Sequence, residues 1–213
     1  MIKRTSKKYV EGLLNKNPDW KIVDLGGGSN AWSQANTILD IKDHSSLYPG
    51  KRFVQSDASK TPFEDKEFDF VIASHVTEHV DDMEVYMSEL MRIGKRGYIE
   101  VPTPLFDNLV FGNFEEHKWW LYFDDITSEL LYTKKKTKLL EAWYPSQLKN
   151  LEPYFLDQMQ MSFLWEDSIE YRKINQEDTD DPPTRIRAVA KNRTKQKNQV
   201  VFTNDGTGKL RKI

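Results

Sequence analysis

Three consecutive glycines follow the short predicted strand 21–25 near the start of the chain. Gly26, Gly27 and Gly28 lack a Cβ atom, so the backbone at these positions can approach a bound molecule closely. A helix that begins behind them would offer free N–H groups to an anionic part of that molecule. With Ala31 at its last position, the segment also fits the G-x-G-x-x-A pattern of dinucleotide-binding enzymes. Two interpretations stay open at this point, a nucleotide-like ligand or a tight structural turn.

An acidic residue lies at the end of the second predicted strand, 37–41. A carboxylate at the position of Asp40 can accept hydrogen bonds from both hydroxyls of a ribose. The alternative is an ordinary acid at a strand end that caps a turn together with Asp43.

The segments that must position these residues alternate between strand-like and helix-like patterns, which predicts a parallel sheet covered on both faces by helices. Five strands are predicted, over residues 21–25, 37–41, 52–55, 68–74 and 97–101. An N-terminal helix is predicted to end near Pro18, with Val10, Leu13 and Leu14 on its buried face. A second helix begins after Asp81 or Asp82 and ends near Gly94, and its predicted buried face consists of Val85, Met87, Leu90 and Met91.

The rest of the chain gives weaker patterns. Residues 119–123 and 130–133 predict a hairpin, 147–155 a helix, and 159–165 and 199–203 late strands. An acidic stretch that ends in two prolines, 177–183, is typical of a linker. We therefore expect one domain over residues 1–175 and a C-terminal segment over 176–213. From residue 184 onward that segment carries nine Lys or Arg and the single acid Asp205, and a terminal hairpin is predicted around residues 204–208.

Composition narrows the class of protein further. The chain has 213 residues and 38% hydrophobic content, which is enough for one ordinary domain with its own core. It contains no cysteine, which excludes disulfides, thiolate metal sites and cysteine nucleophiles, and we expect no metal site. Apolar runs are too short to span a membrane, and no signal segment is recognised, so a cytoplasmic enzyme is expected. The net charge of −2 argues against a protein that binds nucleic acid over its whole surface.

A long ordered motif follows the third predicted strand. Residues 57–79 read D-A-S-K-T-P-F-E-D-K-E-F-D-F-V-I-A-S-H-V-T-E-H. This run resembles the D-A-x-x-L-P-F-x-D-x-x-F-D-x-V-x-x-x-x-x-x-E-H pattern of class I S-adenosylmethionine-dependent methyltransferases, in particular the type 11-like subgroup. The resemblance covers about residues 20–103 and, more faintly, 116–120. It implies a Rossmann-like sheet of seven mostly parallel strands with a C-terminal antiparallel hairpin and helices on both faces, and S-adenosyl-L-methionine as cofactor.

The resemblance also implies roles for individual residues. The glycines would lie under the methionine portion and ribose, Asp40 would hold the ribose hydroxyls, and Asp57 and the Ala58 N–H would contact the adenine. The full set of expected cofactor-binding residues is Asp24, Gly26, Gly27, Gly28, Asp40, Ile41, Asp57, Ala58, Ser74 and His75. In this chain only 14 positions separate Gly26 from Asp40, fewer than is common in the family. The first crossover helix is therefore expected to be very short, around residues 32–36.

Two histidines are candidates for catalysis. Methyl transfer needs a general base only when the acceptor is a weak acid such as a hydroxyl or an ammonium. His75 follows the fourth predicted strand and His117 precedes the predicted hairpin, and both are expected near the acceptor. Packing against the helix start is the preferred interpretation for Glu78 and His79, and exposure to solvent for His44.

The aromatic residues of segment 106–123 permit two interpretations. Trp119 and Trp120 suit stacking on a sugar ring or another flat acceptor, but an aromatic strand packed on a helix has the same composition and is preferred.

The expected function is methyl transfer to an oxygen or nitrogen of a small molecule, such as a sugar or secondary metabolite. The alternatives are an RNA or protein methyltransferase that uses the basic C-terminal segment, a catalytically silent cofactor-binding module and, remotely, a nicotinamide oxidoreductase. The sequence does not predict an oligomeric state.

Overall fold

A computed structural model describes residues 1–109, 116–135, 155, 159–174, 202–204 and 210–212. The chain divides into two compact units, Met1–Lys173 and Ile174–Ile213, and each is described by itself. The predicted acidic linker lies outside the described residues, as does the helix predicted over 147–155 except for Phe155, which is helical. The domain boundary expected after residue 175 stays a prediction.

The first unit contains ten strands and three α-helices among its described residues. In chain order they are β1 (Ile2–Arg4), α1 (Lys7–Asn15), β2 (Ile22–Leu25), β3 (Thr37–Asp40), β4 (Arg52–Gln55), β5 (Phe70–Ser74), α2 (Met83–Ile93), β6 (Arg96–Pro102), α3 (Pro104–Leu109), β7 (Trp119–Asp124), β8 (Glu129–Lys134), β9 (Gln160–Glu166) and β10 (Tyr171–Lys173).

Seven of these strands form one sheet in the order β1-β9-β6-β5-β2-β3-β4. The five strands from β6 to β4 are parallel, and β9 runs antiparallel to both of its neighbours. The fold predicted from the sequence, a mostly parallel seven-stranded sheet, is confirmed. The edge strand β1 was not predicted, because Ile2 is its only apolar residue and its strand conformation depends on pairing with the distant β9.

Helices cover both faces of the sheet, as expected. Ser6 caps α1 by accepting a hydrogen bond from the Tyr9 N–H. Val10 and Leu14, one helical turn apart, are buried in a cluster that includes Phe70. On the other face, α2 begins after Asp82, whose carboxylate accepts hydrogen bonds from two backbone N–H groups of the first turn.

The buried face of α2 agrees with the predicted one at Met87 and Leu90 but not at the other two positions. Val85 was expected in the core, but its side chain is 50% exposed, and Met91 is only half-buried. The buried positions follow a different set of helical spacings, three or four residues apart, and comprise Met83, Tyr86, Met87, Leu90 and Ile93.

No helix connects β2 to β3, so the prediction of a short crossover helix around residues 32–36 is wrong. Residues 26–36 form turns instead, and side chains hold them in place. The Asp24 carboxylate accepts the Trp32 N–H at 2.7 Å, and the Asn36 side-chain carbonyl accepts the Ile22 N–H at 3.0 Å. The Trp32 ring packs against Tyr98 in the core. The glycines are therefore not followed by the helix N-terminus that was expected to offer free N–H groups.

The predicted hairpin is confirmed as β7 and β8, which pair antiparallel, and β10 adds to β8 in parallel. Trp119 and Trp120 are buried, and their indole N–H groups donate to the Val80 carbonyl and the Asp107 carboxylate. These contacts agree with the preferred interpretation of the aromatic segment as packing.

The second unit contains β11 (Phe202–Asn204) and β12 (Leu210–Lys212), which pair antiparallel as the predicted terminal hairpin. Across the described parts of the chain, we find no helix with the length and apolar character needed to cross a membrane.

Candidate functional site

The glycine turn after β2 has a backbone that other residues adopt poorly. Gly26 and Gly28 have positive φ angles of 67° and 52°. A Cβ on Gly26 would collide with the Val76 side chain, and one on Gly27 would lie 2.7 Å from the Cβ of Ala31. The steric need for glycine at these two positions thus comes from the protein's own atoms.

Asp40 ties this turn to the end of β3. Its Oδ2 accepts the Gly28 N–H and its Oδ1 accepts the Lys42 N–H, both at 2.9 Å. The Gly28 carbonyl in turn accepts a hydrogen bond from the Tyr48 hydroxyl at 2.8 Å. Each carboxylate oxygen has a second lone pair, so these bonds leave Asp40 able to accept from a ligand hydroxyl. Its carboxylate therefore combines turn capping with the capacity predicted for ribose binding.

Asp24, the last acid before the glycines, is 2% exposed and lies beneath the turn. Burial disfavours its charged form and raises the pKa of the carboxyl to about 7, although the hydrogen bond from the Trp32 N–H and the charges of Lys51 and Lys7 oppose the shift. Asp24 therefore changes its charge close to neutral pH.

A cavity of about 850 Å³ opens over the glycine turn. Of the expected cofactor-binding residues it is lined by Asp24, Gly26, Gly27, Gly28, Ser74 and His75. Residues that were not predicted complete the wall, among them Arg4, Lys7, Glu100, Met161 and Ser162. The cavity carries charges of both signs, which suits a polar ligand.

A second cavity of about 280 Å³ lies at the ends of β3 and β4. It is lined by the remaining expected residues, Asp40, Ile41, Asp57 and Ala58. Asp57 Oδ1 accepts the Ser59 N–H at 2.7 Å, and the Ile41 side chain is 67% exposed. Gly26 and His75 line both cavities, so the two adjoin. All ten residues expected to bind the cofactor therefore face one of two adjoining cavities.

His75 stands where the two cavities meet and adopts a left-handed backbone with φ 57°. Its Nδ1 is 3.3 Å from Glu78 Oε1, and its Nε2 is 3.5 Å from Glu100 Oε1. Burial opposes the imidazolium, but the two carboxylates outweigh burial and raise the pKa of His75. The arrangement therefore stabilises the protonated ring.

Glu100 is the main feature of the site that the sequence analysis missed. Its side chain is buried and accepts hydrogen bonds from the hydroxyls of Ser74, at 2.8 Å, and Tyr98. The Tyr98 hydroxyl oxygen lies 3.0 Å from the Ser162 hydroxyl, from which it can accept a hydrogen bond. A single acid within the otherwise apolar strand 97–101 was the available signal, because an acidic side chain is rarely buried unless it has partners. Arg4 and Lys7 had no such signal, since their strand and helix start were not linked to the sheet end.

His117 lies in a different environment. It is 9% exposed, and its Nδ1 is 2.8 Å from Asp107 Oδ1. Burial raises the pKa of Asp107, but hydrogen bonds from His117, Lys135 and Trp120 outweigh it and lower that pKa overall. Among the residues described, those lining the two cavities do not include His117. Its catalytic role stays a prediction that the cavity geometry does not support.

The chain is similar in sequence to methyltransferases. Residues 28–99 match a family described as "Methyltransferase domain". A hybrid PKS-NRPS synthetase of Aspergillus flavus is 28% identical over 149 residues, which are 55% of this chain and 4% of the synthetase. A ubiquinone/menaquinone biosynthesis C-methyltransferase of Bartonella bacilliformis is 29% identical over 119 residues, covering 42% of this chain and 45% of that enzyme.

Solved structures match this chain only at low sequence identity. A SAM-dependent methyltransferase from Archaeoglobus fulgidus is 16% identical with a TM-score of 0.40, and the match covers 76% of this chain and 94% of that one. The chain thus spans less than half the length of the two curated relatives named above.

Proposed function

We propose that the chain is a class I S-adenosylmethionine-dependent methyltransferase that transfers a methyl group to an oxygen or nitrogen of a small molecule. The methyl donor that defines the family is S-adenosylmethionine. The observation that carries the proposal is the convergence of ten residues, expected from the motif, on two adjoining cavities at the carboxyl ends of the parallel strands. This is where ligands bind in open α/β sheets.

The residues present fit the cofactor. In the smaller cavity, Asp40 would hold the ribose hydroxyls, Asp57 the adenine amino group and the exposed Ile41 side chain one face of the base. In the larger cavity, the glycine turn and Asp24 would hold the methionine portion. The positive φ angles of Gly26 and Gly28 support this assignment, because they favour glycine, which places no side chain on the surface that faces the cavity.

The chemistry that the cofactor supplies is an electrophilic methyl on a sulfonium. The protein has to place the acceptor in line with that methyl, and positioning of this kind lowers a barrier by as much as about 7–11 kcal/mol. His75 lies where the cavities adjoin and is the residue we assign as general base for a hydroxyl or ammonium acceptor. When His75 takes up the proton, Glu78 and Glu100 stabilise the imidazolium that forms. A base of this kind adds about 10² to 10⁴ in rate.

The size and lining of the larger cavity favour a small polar acceptor. Its volume of about 850 Å³ lies within the range of sites for small molecules and must also hold the methionine portion. Its lining residues include the basic Lys7, whose ammonium lies over the Trp32 ring, and the acidic Glu100. An acceptor that carries hydroxyl or amino groups matches these partners better than an apolar one.

Calorimetric titration with S-adenosylhomocysteine tests the cofactor assignment, with NAD as the comparison ligand. We expect one site for S-adenosylhomocysteine and no heat from NAD. Asp57→Ala should weaken binding at least tenfold, whereas Asp19→Ala should leave it unchanged, because Asp19 is exposed and precedes β2 at the opposite end of the strand from the cavities. Binding of NAD instead, or equal affinity of both variants and the unchanged protein, would contradict the proposal.

A further inference from the structure

Three side chains with metal-binding atoms meet beside the smaller cavity. Glu78 and His79 lie in the turn after β5, and His117 directly precedes the hairpin. One ligand atom from each lies within 4.8 Å of the other two. Backbone hydrogen bonds hold the two segments together, because the Glu78 carbonyl accepts the N–H groups of Lys118, at 2.7 Å, and Trp119, at 3.3 Å. The cluster is thus built by the fold rather than by mobile surface side chains.

Glu78 is the unusual member of the cluster. Its side chain is 1% exposed, and neither carboxyl oxygen receives a hydrogen bond from the residues that the structure describes. The nearest cationic groups are His75 Nδ1 at 3.3 Å and His79 Nε2 at 4.0 Å. A buried carboxylate is costly unless it is hydrogen-bonded, paired or bound to a metal. Its environment is therefore suited to a cation.

The two histidines are oriented as metal ligands usually are. His79 Nδ1 is 3.1 Å from the Glu116 carbonyl oxygen, and His117 Nδ1 is 2.8 Å from the Asp107 carboxylate. Both partners are acceptors, so each Nδ1 carries the proton in the neutral ring and the lone pair lies on Nε2. A carboxylate or carbonyl that accepts from the second ring nitrogen is the common outer partner of a histidine that binds a metal.

We propose that Glu78, His79 and His117 bind one divalent transition-metal ion of the zinc type, with Asp107 as the residue that positions His117. Two imidazoles and one carboxylate are ligands that suit zinc, whereas magnesium and calcium prefer sites made of oxygen atoms. This proposal departs from the expectation, made from the sequence, that the chain has no metal site. It shares Glu78 with the proposed methyl transfer, in which this carboxylate faces His75, but metal binding and cofactor binding can be measured separately.

The geometry requires a small adjustment. Ligands bound to zinc at about 2.0–2.1 Å lie roughly 3.4 Å apart in a tetrahedral site. The separations here reach at most 4.8 Å, and the half-exposed His79 ring is the member able to turn toward the other two. Three protein ligands leave a fourth position for water or another oxygen. Because His79 lines the smaller cavity, the ion would lie at its border.

Titration of the full chain with Co²⁺ and Zn²⁺, after treatment with a chelator, tests the proposal. We expect one equivalent of Co²⁺ to give the visible d–d absorption of a tetrahedral site and one equivalent of Zn²⁺ to abolish it. His79→Ala should remove the absorption or weaken binding by at least about 10-fold, and Asp107→Asn should weaken it by about 10–100-fold. His44→Ala is the matched control, since His44 lies outside the cluster, and it should bind like the unchanged protein.

Two results would overturn the proposal: less than stoichiometric binding by the unchanged protein, or unaltered binding by His79→Ala. His79 is 40% exposed, so its loss should leave the thermal midpoint within a few degrees, and this measurement separates a lost site from a lost fold. Calorimetry with S-adenosylhomocysteine on the chelator-treated protein separates the proposed metal site from the proposed methyl transfer. Cofactor binding without metal binding removes only the metal site, and the reverse result removes only the methyltransferase assignment.

Discussion

The sheet is connected in two different ways on the two sides of β2. Toward β3 and β4, residues 26–36 and 41–51 cross with turns and the short 3₁₀ segment Ser45–Leu47. Between β5 and β6, the crossover contains the eleven-residue helix α2. The first side is held by hydrogen bonds to a few carboxylates, Asp24 and Asp40 above all. The second is held by five buried side chains of α2 packed on the sheet.

This difference separates stability from ligand binding. A helix that buries an apolar face contributes to the free energy of unfolding in proportion to the area it removes from water. A turn fixed by individual hydrogen bonds contributes less, but it leaves backbone groups and carboxylates at the surface of a cavity. We therefore expect substitutions in α2 to change mainly the free energy of unfolding, and substitutions in the turns to change mainly cofactor affinity.

The largest effect should come from Leu90→Ala in α2. Leu90 is fully buried, and the lost contacts and resulting cavity should lower the free energy of unfolding by about 2–5 kcal/mol. Urea unfolding measures this change, and affinity for S-adenosylhomocysteine should stay the same wherever the variant is folded. Val85→Ala on the exposed side of the helix is the control and should change stability by less than about 0.5 kcal/mol. Equal losses of stability in the two variants would contradict the exposed position of Val85.

The contrast between these two positions illustrates what the sequence could predict. Strands β2 to β6, the glycine turn and a helix cap at Asp81 or Asp82 are local patterns, and they were predicted within a few residues. Val85 was misplaced because the segment is apolar on more than one side, and only packing decides which side faces the sheet. β1 was missed for a related reason, since three residues become a strand only through pairing with β9.

The site divides in the same manner. The cofactor residues were expected because a motif fixes their spacing along neighbouring strands. Glu100 lies outside that motif, although its position in an apolar strand was a signal, and Lys7 joins the site through a contact between distant segments that a single sequence does not contain. The same holds for the meeting of Glu78 with His117, which depends on where the hairpin docks.

Asp40→Ala should give the next largest effect and should act on binding. It removes the acceptor of the Gly28 and Lys42 N–H groups as well as the ribose ligand. Hydrogen bonds to a charged group contribute about 1.5–3 kcal/mol, so affinity for S-adenosylhomocysteine should fall by about 10-fold to 100-fold. Asp43→Ala is the control in the same crossover, because Asp43 accepts from Ser45 and does not line the cavity. A fall in stability as large as that of Leu90→Ala would break the comparison between the two sides.

The protonation of Asp24 makes the free energy of unfolding depend on pH. Its folded-state pKa of about 7 lies above the ordinary value of 3.8, so the protonated carboxyl stabilises the folded protein at low pH. That stability is fully present below about pH 4 and is lost as the pH rises through 7. Between about pH 6 and 8 the free energy of unfolding should fall by on the order of 1 kcal/mol on this account. Asp24→Asn, which cannot ionise, should show a correspondingly smaller fall in urea unfolding, and parallel pH curves for the two proteins would contradict the assignment.

The smallest effect should come from Asp82→Ala at the start of α2. Asp82 accepts hydrogen bonds from the Glu84 and Val85 N–H groups, and loss of such a cap costs about 1 kcal/mol. Asp81 is the matched control because it is the neighbouring acid and pairs only with the exposed Lys118 among the described contacts, so Asp81→Ala should not change the unfolding midpoint. A larger loss of stability from Asp81→Ala than from Asp82→Ala would identify Asp81 as the helix cap. If Asp82→Ala instead weakened S-adenosylhomocysteine binding, the start of α2 would belong with the turns, and the division of the sheet into a packed side and a binding side would have to be redrawn at β5.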